Sequence, residues 1–162
     1  MYQKFYNSPI GQLKIVCDDF SVLEILPVSK LGVNNQNEIC DLVETKLISY
    51  FNKELKKINL PITLNGTNFQ KQVWQELLNI PYGQTISYQE LANKIGKPKA
   101  VRAVANSVGK NKCLVLIPCH RVIGTNKTLT GFSAGLEGKI KLLKLEGHKV
   151  KIKEDLKSSL IT

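Results

Sequence analysis

The sequence predicts an α+β protein with two lobes: a small antiparallel sheet with one helix, then a mostly helical lobe. Three short β-prone runs separated by turn residues occupy the first 30 residues. A helical pattern then runs through 38–51, and beyond Gly66 helical patterns alternate with turns containing glycine and proline. We therefore expect an N-terminal α/β lobe at 1–65 and a C-terminal lobe at 66–162, joined through the polar segment 53–66.

The N-terminal lobe is predicted to be a β-meander covered by its helix. The β-prone runs are 2–6, 13–16 and 22–26, with turns at 8–11 and 18–19. The apolar positions of the helical segment fit one face that would cover the sheet: Ile39, Leu42, Val43, Leu47, Ile48 and Phe51.

The C-terminal lobe contains a pair of helices with a short turn between them. Thr67 and Ser87 each precede a Gln or Glu by three residues, which is the pattern of a capping box at a helix start. A helix of small residues follows over 100–108 and ends at Gly109. This layout is typical of a helix-turn-helix, and the second helix, with Arg102 as its long polar side chain, favours phosphate contacts over base reading. A plain αα-hairpin packed in the core has the same local pattern.

The net charge of +10 lies entirely in the C-terminal part. Residues 1–65 hold seven basic and seven acidic residues, whereas 66–162 hold 16 and six. Eight basic residues lie between Glu90 and Glu137 without an acid: Lys94, Lys97, Lys99, Arg102, Lys110, Lys112, Arg121 and Lys127. Such a segment predicts a polyanionic partner, most commonly nucleic acid, although a solvated basic surface is the alternative.

Several classes of protein are disfavoured by composition. No apolar stretch approaches the roughly 20 residues of a membrane span, and the N-terminus lacks a signal-peptide hydrophobic region. We therefore expect a cytoplasmic protein without a membrane partner. The four cysteines are widely spaced and only two histidines are present, so we expect neither a disulfide framework nor a metal site.

The segment Ile117-Pro118-Cys119-His120-Arg121 carries the strongest chemical signal. Cationic or proton-accepting neighbours lower the pKa of a cysteine and create the nucleophilic thiolate, and two such neighbours follow Cys119 directly. We therefore expect an activated thiol. The alternative, for the pair alone, is a small buried hydrophobic residue.

Together these motifs resemble the O6-alkylguanine-DNA alkyltransferase family. The resemblance covers roughly half the chain in family order, through 69–74, 80–85, 87–92, 99–104, Asn111, 117–124 and 145–148. It implies a ribonuclease-H-like N-terminal lobe, with which the meander and helix are compatible.

The resemblance implies a catalytic role for five residues. Cys119 would take the alkyl group from O6 of a damaged guanine. His120 would act on its thiol through a water, and Glu146 would orient and polarise His120. Asn111 would steady the turn near the nucleophile, and Tyr88 would lie at the pocket and the phosphate of the flipped nucleotide.

Further residues match the substrate and DNA contacts of the family. Ser133 would donate to the guanine O6, Phe132 replaces a frequent tyrosine while keeping the apolar wall, and Val122 would complete the substrate contacts. Arg102 would enter the stack in place of the extruded base. The accompanying DNA contacts are expected at Gln89, Lys99, Ala103, Gly109 and Lys110.

One departure from the family concerns the loop before the nucleophile. Lys112 and Leu114 lie in a region that is often rich in proline, and this predicts a more mobile loop wall and a pocket narrowed or charged by Lys112.

The predicted function is direct repair of DNA by a single irreversible alkyl transfer to Cys119, from O6-alkylguanine and more weakly from O4-alkylthymine. The expected partner is double-stranded DNA, with no cofactor, and the protein is expected to be a monomer. The main alternative is an alkyltransferase-like protein that binds damage without repairing it, although such relatives replace the cysteine. A zinc-bearing transcriptional regulator and a Cys-His hydrolase fit the sequence less well.

Overall fold

The computed structural model describes residues 1–154 and 159–162. The elements follow one another in this order: β1 (Tyr2–Ser8), β2 (Gly11–Cys17), β3 (Val22–Pro27), α1 (Glu38–Phe51), α2 (Asn68–Leu77), β4 (Ile86–Ser87), α3 (Tyr88–Lys94), α4 (Val101–Gly109), a short 3-10 helix (Cys119–Arg121), β5 (Val122–Ile123), α5 (Gly135–Leu145), β6 (Val150–Lys151) and β7 (Leu160–Ile161). The predicted α+β class is confirmed.

The N-terminal lobe is the predicted meander with α1 packed on it. Strands β1, β2 and β3 pair antiparallel in that order, and a tight turn with Ser8 opposite Gly11 joins the first two. Gly11 has a φ of +113°, a region that side chains other than glycine rarely enter. Helix α1 begins at the cap formed by Asn37, whose side chain accepts a hydrogen bond from Cys40 N.

The predicted apolar face of α1 is partly wrong. The buried residues are Cys40, Val43, Leu47 and Tyr50, whereas Leu42 and Ile48 are 43% and 40% exposed. Their spacing still follows the helical period, but the buried face is rotated toward Cys40 and Tyr50 because α1 contacts the C-terminal lobe as well as the sheet.

The helices α2, α3 and α4 pack on one another in the C-terminal lobe. The capping box at Thr67 forms with both of its hydrogen bonds. Only one of the two bonds forms at Ser87, whose hydroxyl accepts from Glu90 N. Trp74 anchors the packing, since it is 1% exposed and its indole N–H donates to Ser107 O at 2.8 Å.

The two lobes share one continuous hydrophobic core. Strand β3 bonds to the loop before the nucleophile, with Ile25 N donating to Lys112 O at 2.8 Å and Leu114 N to Ile25 O at 3.0 Å. The segment predicted as a linker also packs on the sheet, because Val22 N donates to Pro61 O at 2.9 Å. The N-terminal lobe is therefore joined to the part of the chain that leads to Cys119.

The remaining elements complete the C-terminal lobe. Strand β4 pairs parallel with β5, directly after the 3-10 helix, and β6 pairs antiparallel with β7. Helix α5 contacts the 3-10 helix and ends one residue before Glu146. Among the described residues, no helix has the length and apolar character needed to cross a membrane.

Candidate active site

Cys119 begins the 3-10 helix at the end of a tightly held turn. The buried carboxamide of Asn111 spans this turn: its Nδ2 donates to Ile117 O at 2.8 Å, and its Oδ1 accepts from Cys113 N at 2.9 Å. Within the turn Val115 has a φ of +70°, an unfavourable conformation for a β-branched residue. The surroundings of Asn111 therefore hold a strained backbone in place just before the nucleophile.

His120 and Glu146 form a buried pair next to Cys119. The distance from His120 Nε2 to Glu146 Oε2 is 2.8 Å, and the imidazole is fully buried. Because an ionised carboxylate only accepts hydrogen bonds, Nε2 must carry the proton and Nδ1 of the neutral ring must be free to accept one. No group of the described residues forms a hydrogen bond with Nδ1.

Glu146 is held by donors on several sides. Arg121 Nε donates to Oε1 at 2.7 Å and Arg121 Nη2 to Oε2 at 2.9 Å, while Nη1 donates to Ile80 O at 2.6 Å. The hydroxyl of Tyr50 donates to Oε2 at 2.5 Å. Burial alone would raise the pKa of the Glu146 carboxyl, but the bonds from His120, Arg121 and Tyr50 outweigh it and lower the pKa well below its usual range. The carboxylate is therefore ionised at every physiological pH.

The lowered pKa that the sequence predicts for the Cys119 thiol is not found. Burial raises the pKa of the Cys119 thiol, and the neighbouring Asn111 side chain and Lys139 ammonium only partly oppose it. Burial likewise lowers the pKa of His120, although Glu146 acts in the opposite direction. The cation adjacent in sequence, Arg121, is engaged by Glu146 rather than by the sulfur. The site therefore holds a neutral thiol beside a neutral imidazole.

Lys139 is the cation that does lie near Cys119. It is 1% exposed on α5, and its ammonium donates to Val122 O at 2.7 Å. Burial lowers its pKa from 10.5 to about 8, and the field of an ionised Cys119 would raise it. A developing thiolate would thus find a positive charge already in place.

A cavity of about 580 Å³ lies between α4 and the loop before α5. Its lining comprises Tyr88, Val101, Arg102, Ala105, Gly109, Thr130, Gly131, Phe132 and Ser133. The Tyr88 hydroxyl is hydrogen-bonded to Thr130. The pKa of Tyr88 is raised. Burial and the nearby Cys119 raise it, and the hydrogen bond with Thr130 opposes them only in part. Cys119, 5% exposed, thus lies close to Tyr88, which lines the cavity.

Both parts of the chain match known families. Residues 68–148 match the 6-O-methylguanine DNA methyltransferase DNA binding domain, and residues 1–64 match the ribonuclease-like domain of the same enzyme. The chain belongs to the 6-O-methylguanine DNA methyltransferase family. The ribonuclease-like lobe expected from the resemblance is thereby confirmed.

The chain is similar to proteins from bacteria and archaea that are named methylated-DNA–protein-cysteine methyltransferase. A methylated-DNA–protein-cysteine methyltransferase of Haemophilus influenzae is 41% identical over 154 residues, covering 90% of this chain and 86% of that protein. One from Methanosarcina acetivorans is 40% identical over 155 residues, covering 91% and 99%. A crystal structure of Mycobacterium tuberculosis OGT in complex with DNA has a TM-score of 0.83 at 36% identity, covering 90% of this chain and 92% of that one.

Most of the residues that we predicted to contact DNA lie at or near the mouth of the cavity, and Gln89 is the exception. Arg102 and Gly109 line it, and Lys99, Ala103 and Lys110 are exposed on or beside α4. Gln89 is instead engaged within the protein, because its Nε2 donates to Asn93 Oδ1 and Pro98 O, both at 3.0 Å.

Val122 does not line this cavity. It is fully buried and its carbonyl accepts from Lys139, and its substrate contact stays a prediction. Lys112 also lies outside the lining, and with Leu114, which is fully buried, it pairs with β3. The loop wall is held by the sheet rather than freed by the missing prolines.

Sequence reasoning missed Tyr50, Thr130 and Lys139. Lys139 had a usable signal, because it falls on the helical face shared by Leu136, Ile140 and Leu143, where a lysine is unexpected. Tyr50 is one position before Phe51, which was assigned to the apolar face in its place. Thr130 lies in a loop without a periodic pattern to mark it.

Proposed function

We propose that this methyltransferase repairs DNA by moving the alkyl group of O6-alkylguanine to Sγ of Cys119. The observation that carries the proposal is the buried Cys119–His120–Glu146 arrangement near a cavity lined by Arg102 of α4, a helix flanked by the exposed Lys99 and Lys110. The family membership and the DNA-bound relative support DNA as the partner.

The first part of the reaction removes a proton from the sulfur. His120 Nδ1, the unprotonated nitrogen of the ring, accepts the thiol proton through a bridging water. Glu146, kept ionised by its hydrogen-bond donors, stabilises the imidazolium that results. Lys139 stabilises the negative charge that develops on the sulfur.

The second part is an in-line displacement at carbon. The bond from Sγ to the alkyl carbon forms as the bond from that carbon to O6 breaks. The electron pair stays on the guanine, which takes up a proton equivalent to the one that His120 received from the thiol. The products are a thioether and unmodified guanine. Because a thiolate is a poor leaving group from a thioether, the alkyl group stays on the sulfur and each molecule reacts once.

The damaged nucleotide must leave the base stack to reach Cys119. Extrusion costs a few kcal/mol, which phosphate contacts and a side chain that fills the vacated space offset. Arg102, exposed at the mouth of the cavity, is suited to fill that space, while Lys99 and Lys110 bind phosphates.

The cavity wall would then hold the base. Phe132 offers an apolar surface, and Tyr88 and Ser133 offer hydroxyl groups. We assign the Ser133 donor to the guanine O6 and Tyr88 to the nucleotide at the inner end of the cavity. Negative charge develops on O6 as its bond to the alkyl carbon breaks, and a hydrogen bond donated to O6 stabilises that charge.

The test is a mass measurement after incubation with a duplex oligonucleotide that carries O6-methylguanine. We expect the Cys119 peptide to gain the mass of one methylene group. Cys119→Ala should gain nothing while still binding the duplex, and Cys113→Ala, which alters another buried cysteine of the same segment, should react like the unchanged protein. An unmodified Cys119 peptide in folded protein would refute the proposal. An O4-methylthymine duplex should react more slowly.

The same measurement addresses the alternative of a damage-binding protein without repair activity. Such a protein would bind the methylated duplex tightly and leave it methylated. The presence of Cys119 next to the hydrogen-bonded pair of His120 and Glu146 favours repair. We also infer that the protein acts in the cytoplasm, since its bacterial and archaeal relatives are named for acting on DNA, which lies in that compartment.

A further inference from the structure

A tyrosine of the N-terminal lobe touches the carboxylate of the active site. Tyr50 lies near the end of α1 and is 1% exposed. Its hydroxyl donates to Glu146 Oε2 at 2.5 Å, across 96 residues of sequence. Since both residues are buried, this bond forms in surroundings of low polarity, where a hydrogen bond to a charged group is strong.

The oxygen that Tyr50 contacts is the one that faces His120. Oε2 also lies 2.8 Å from His120 Nε2 and 2.9 Å from Arg121 Nη2. Arg121 also binds Oε1 and therefore fixes the plane of the carboxylate. The donor from Tyr50 approaches the same oxygen as the imidazole and thus influences directly how strongly that oxygen holds the His120 proton.

The position of the Tyr50 hydroxyl is set by packing. Its ring makes edge-on contacts with Phe51 and Tyr82, at centroid distances of 5.4 and 6.1 Å. The Tyr82 hydroxyl in turn donates to Leu145 O, next to Glu146, at 3.2 Å. A hydroxyl held in this way needs no reorganisation when charge moves in the site.

We propose that Tyr50 is a positioning residue for alkyl transfer, through which the N-terminal lobe aligns Glu146 with His120. The inference rests on the proposed function, since it assigns to Tyr50 an effect on the base of that reaction. It makes the ribonuclease-like lobe part of the catalytic arrangement and not merely a support for it.

Removing the Tyr50 hydroxyl should change how the transfer rate depends on pH, and the direction of the change follows from the hydrogen bonds to Glu146. Removing the hydroxyl leaves more negative charge on Oε2, which raises the pKa of His120, and it also raises the pKa of Glu146 by removing a bond to its charged form. The first change leaves less neutral His120 available as base at low pH, and the second leaves less ionised Glu146 to stabilise the imidazolium. The ionisable or charged groups that face this pair are Tyr50 from α1, Tyr82 from the turn after α2, Arg121 from the 3-10 helix and Lys139 from α5.

The experiment compares Tyr50→Phe with the unchanged protein in single-turnover transfer from an O6-methylguanine duplex over a range of pH. Phenylalanine keeps the ring and its packing. We expect the rate to fall roughly ten- to a hundredfold, as loss of one hydrogen bond to a charged group implies. The acid limb of the rate profile should move to higher pH, while affinity for the duplex stays unchanged. Tyr6→Phe, a tyrosine of the same lobe that packs on Phe51, serves as the matched control and should transfer normally.

Two results would overturn the inference. One is a rate and a pH profile equal to those of the unchanged protein. The other is a slower rate with an unmoved pH profile and a lowered melting temperature, which would mean that Tyr50 only stabilises the fold. Absence of transfer in the unchanged protein would instead refute the proposed function.

Discussion

Lys139 should make the stability of this protein depend on pH between about 8 and 10.5. The side chain is buried on α5, with the Val122 carbonyl as its hydrogen-bond acceptor at 2.7 Å. Burial lowers its pKa from 10.5 to about 8. In the unfolded chain the ammonium is solvated and binds its proton up to the higher value.

The magnitude follows from the difference between these two pKa values. At about 1.4 kcal/mol per pH unit, the difference corresponds to about 3 kcal/mol. Between the two values the unfolded chain binds more protons than the folded protein, so the free energy of unfolding rises with pH there. Below pH 8 the full cost of burying the charge is present, and above 10.5 it is gone.

The assay is urea unfolding of the unchanged protein and Lys139→Met at pH values from 7 to 10.5. Other ionisable groups contribute almost equally to both proteins and cancel in the difference. Loss of the donor to the Val122 carbonyl costs about 1–3 kcal/mol at every pH and shifts the difference without changing its slope. From pH 7 to 10.5, we expect the free energy of unfolding of the unchanged protein to rise by about 3 kcal/mol relative to that of the variant.

Two controls make the result specific to the buried ammonium. Lys144→Met removes an exposed lysine of the same helix and should give a difference that does not vary with pH. Repeating the comparison in a Cys119→Ala background removes the thiol, whose charge acts on Lys139. A flat difference for Lys139→Met, or one that falls with pH, would refute the reasoning.

Three further predictions concern catalysis and DNA binding. Arg102→Ala should slow transfer from duplex DNA by roughly ten- to a hundredfold, because extrusion costs a few kcal/mol, while reaction with free O6-alkylguanine changes little; equal losses in single-turnover assays would contradict its role in extrusion. Duplex affinity should fall roughly a hundredfold between 50 and 200 mM salt if about four phosphates are neutralised, and a flat titration would exclude binding led by phosphates. Glu146→Gln should stop most transfer and lower the free energy of unfolding by about 3–5 kcal/mol, since Arg121 loses its buried partner; unchanged denaturant unfolding would contradict the ion pair.

Local signals were sufficient to predict most helices. The bounds of α1, Glu38–Phe51, agree with the helical pattern, and the cap at Thr67 formed as its sequence indicated. These features depend on neighbours three or four residues apart, which a single sequence displays. The buried face of α1 was partly mispredicted because it depends on contacts with the distant C-terminal lobe, such as the bond from Tyr50 to Glu146, 96 residues away.

The active site was accessible to sequence reasoning only in part. Cys119 and His120 are adjacent in the sequence and can be recognised as a pair, whereas the role of Glu146 was inferred from the family resemblance. Lys139 and Tyr50 belong to ordinary helical patterns, and only their tertiary neighbours distinguish them. The pKa of Cys119 was mispredicted for the same reason, because burial is a property of the fold and outweighs the charges next to it in sequence.

A buried neutral thiol suits a protein that can react only once. Oxidants and stray electrophiles attack the thiolate, so a cysteine ionised at rest would be consumed before it met damaged DNA. In this protein burial raises the pKa of Cys119 and lowers that of His120, which keeps the proton on sulfur. The ionised Glu146 stands ready to stabilise the imidazolium as soon as the proton moves. Nucleophilicity therefore arises together with the electrophilic carbon that uses it, and the same burial that stabilises the fold protects the reagent.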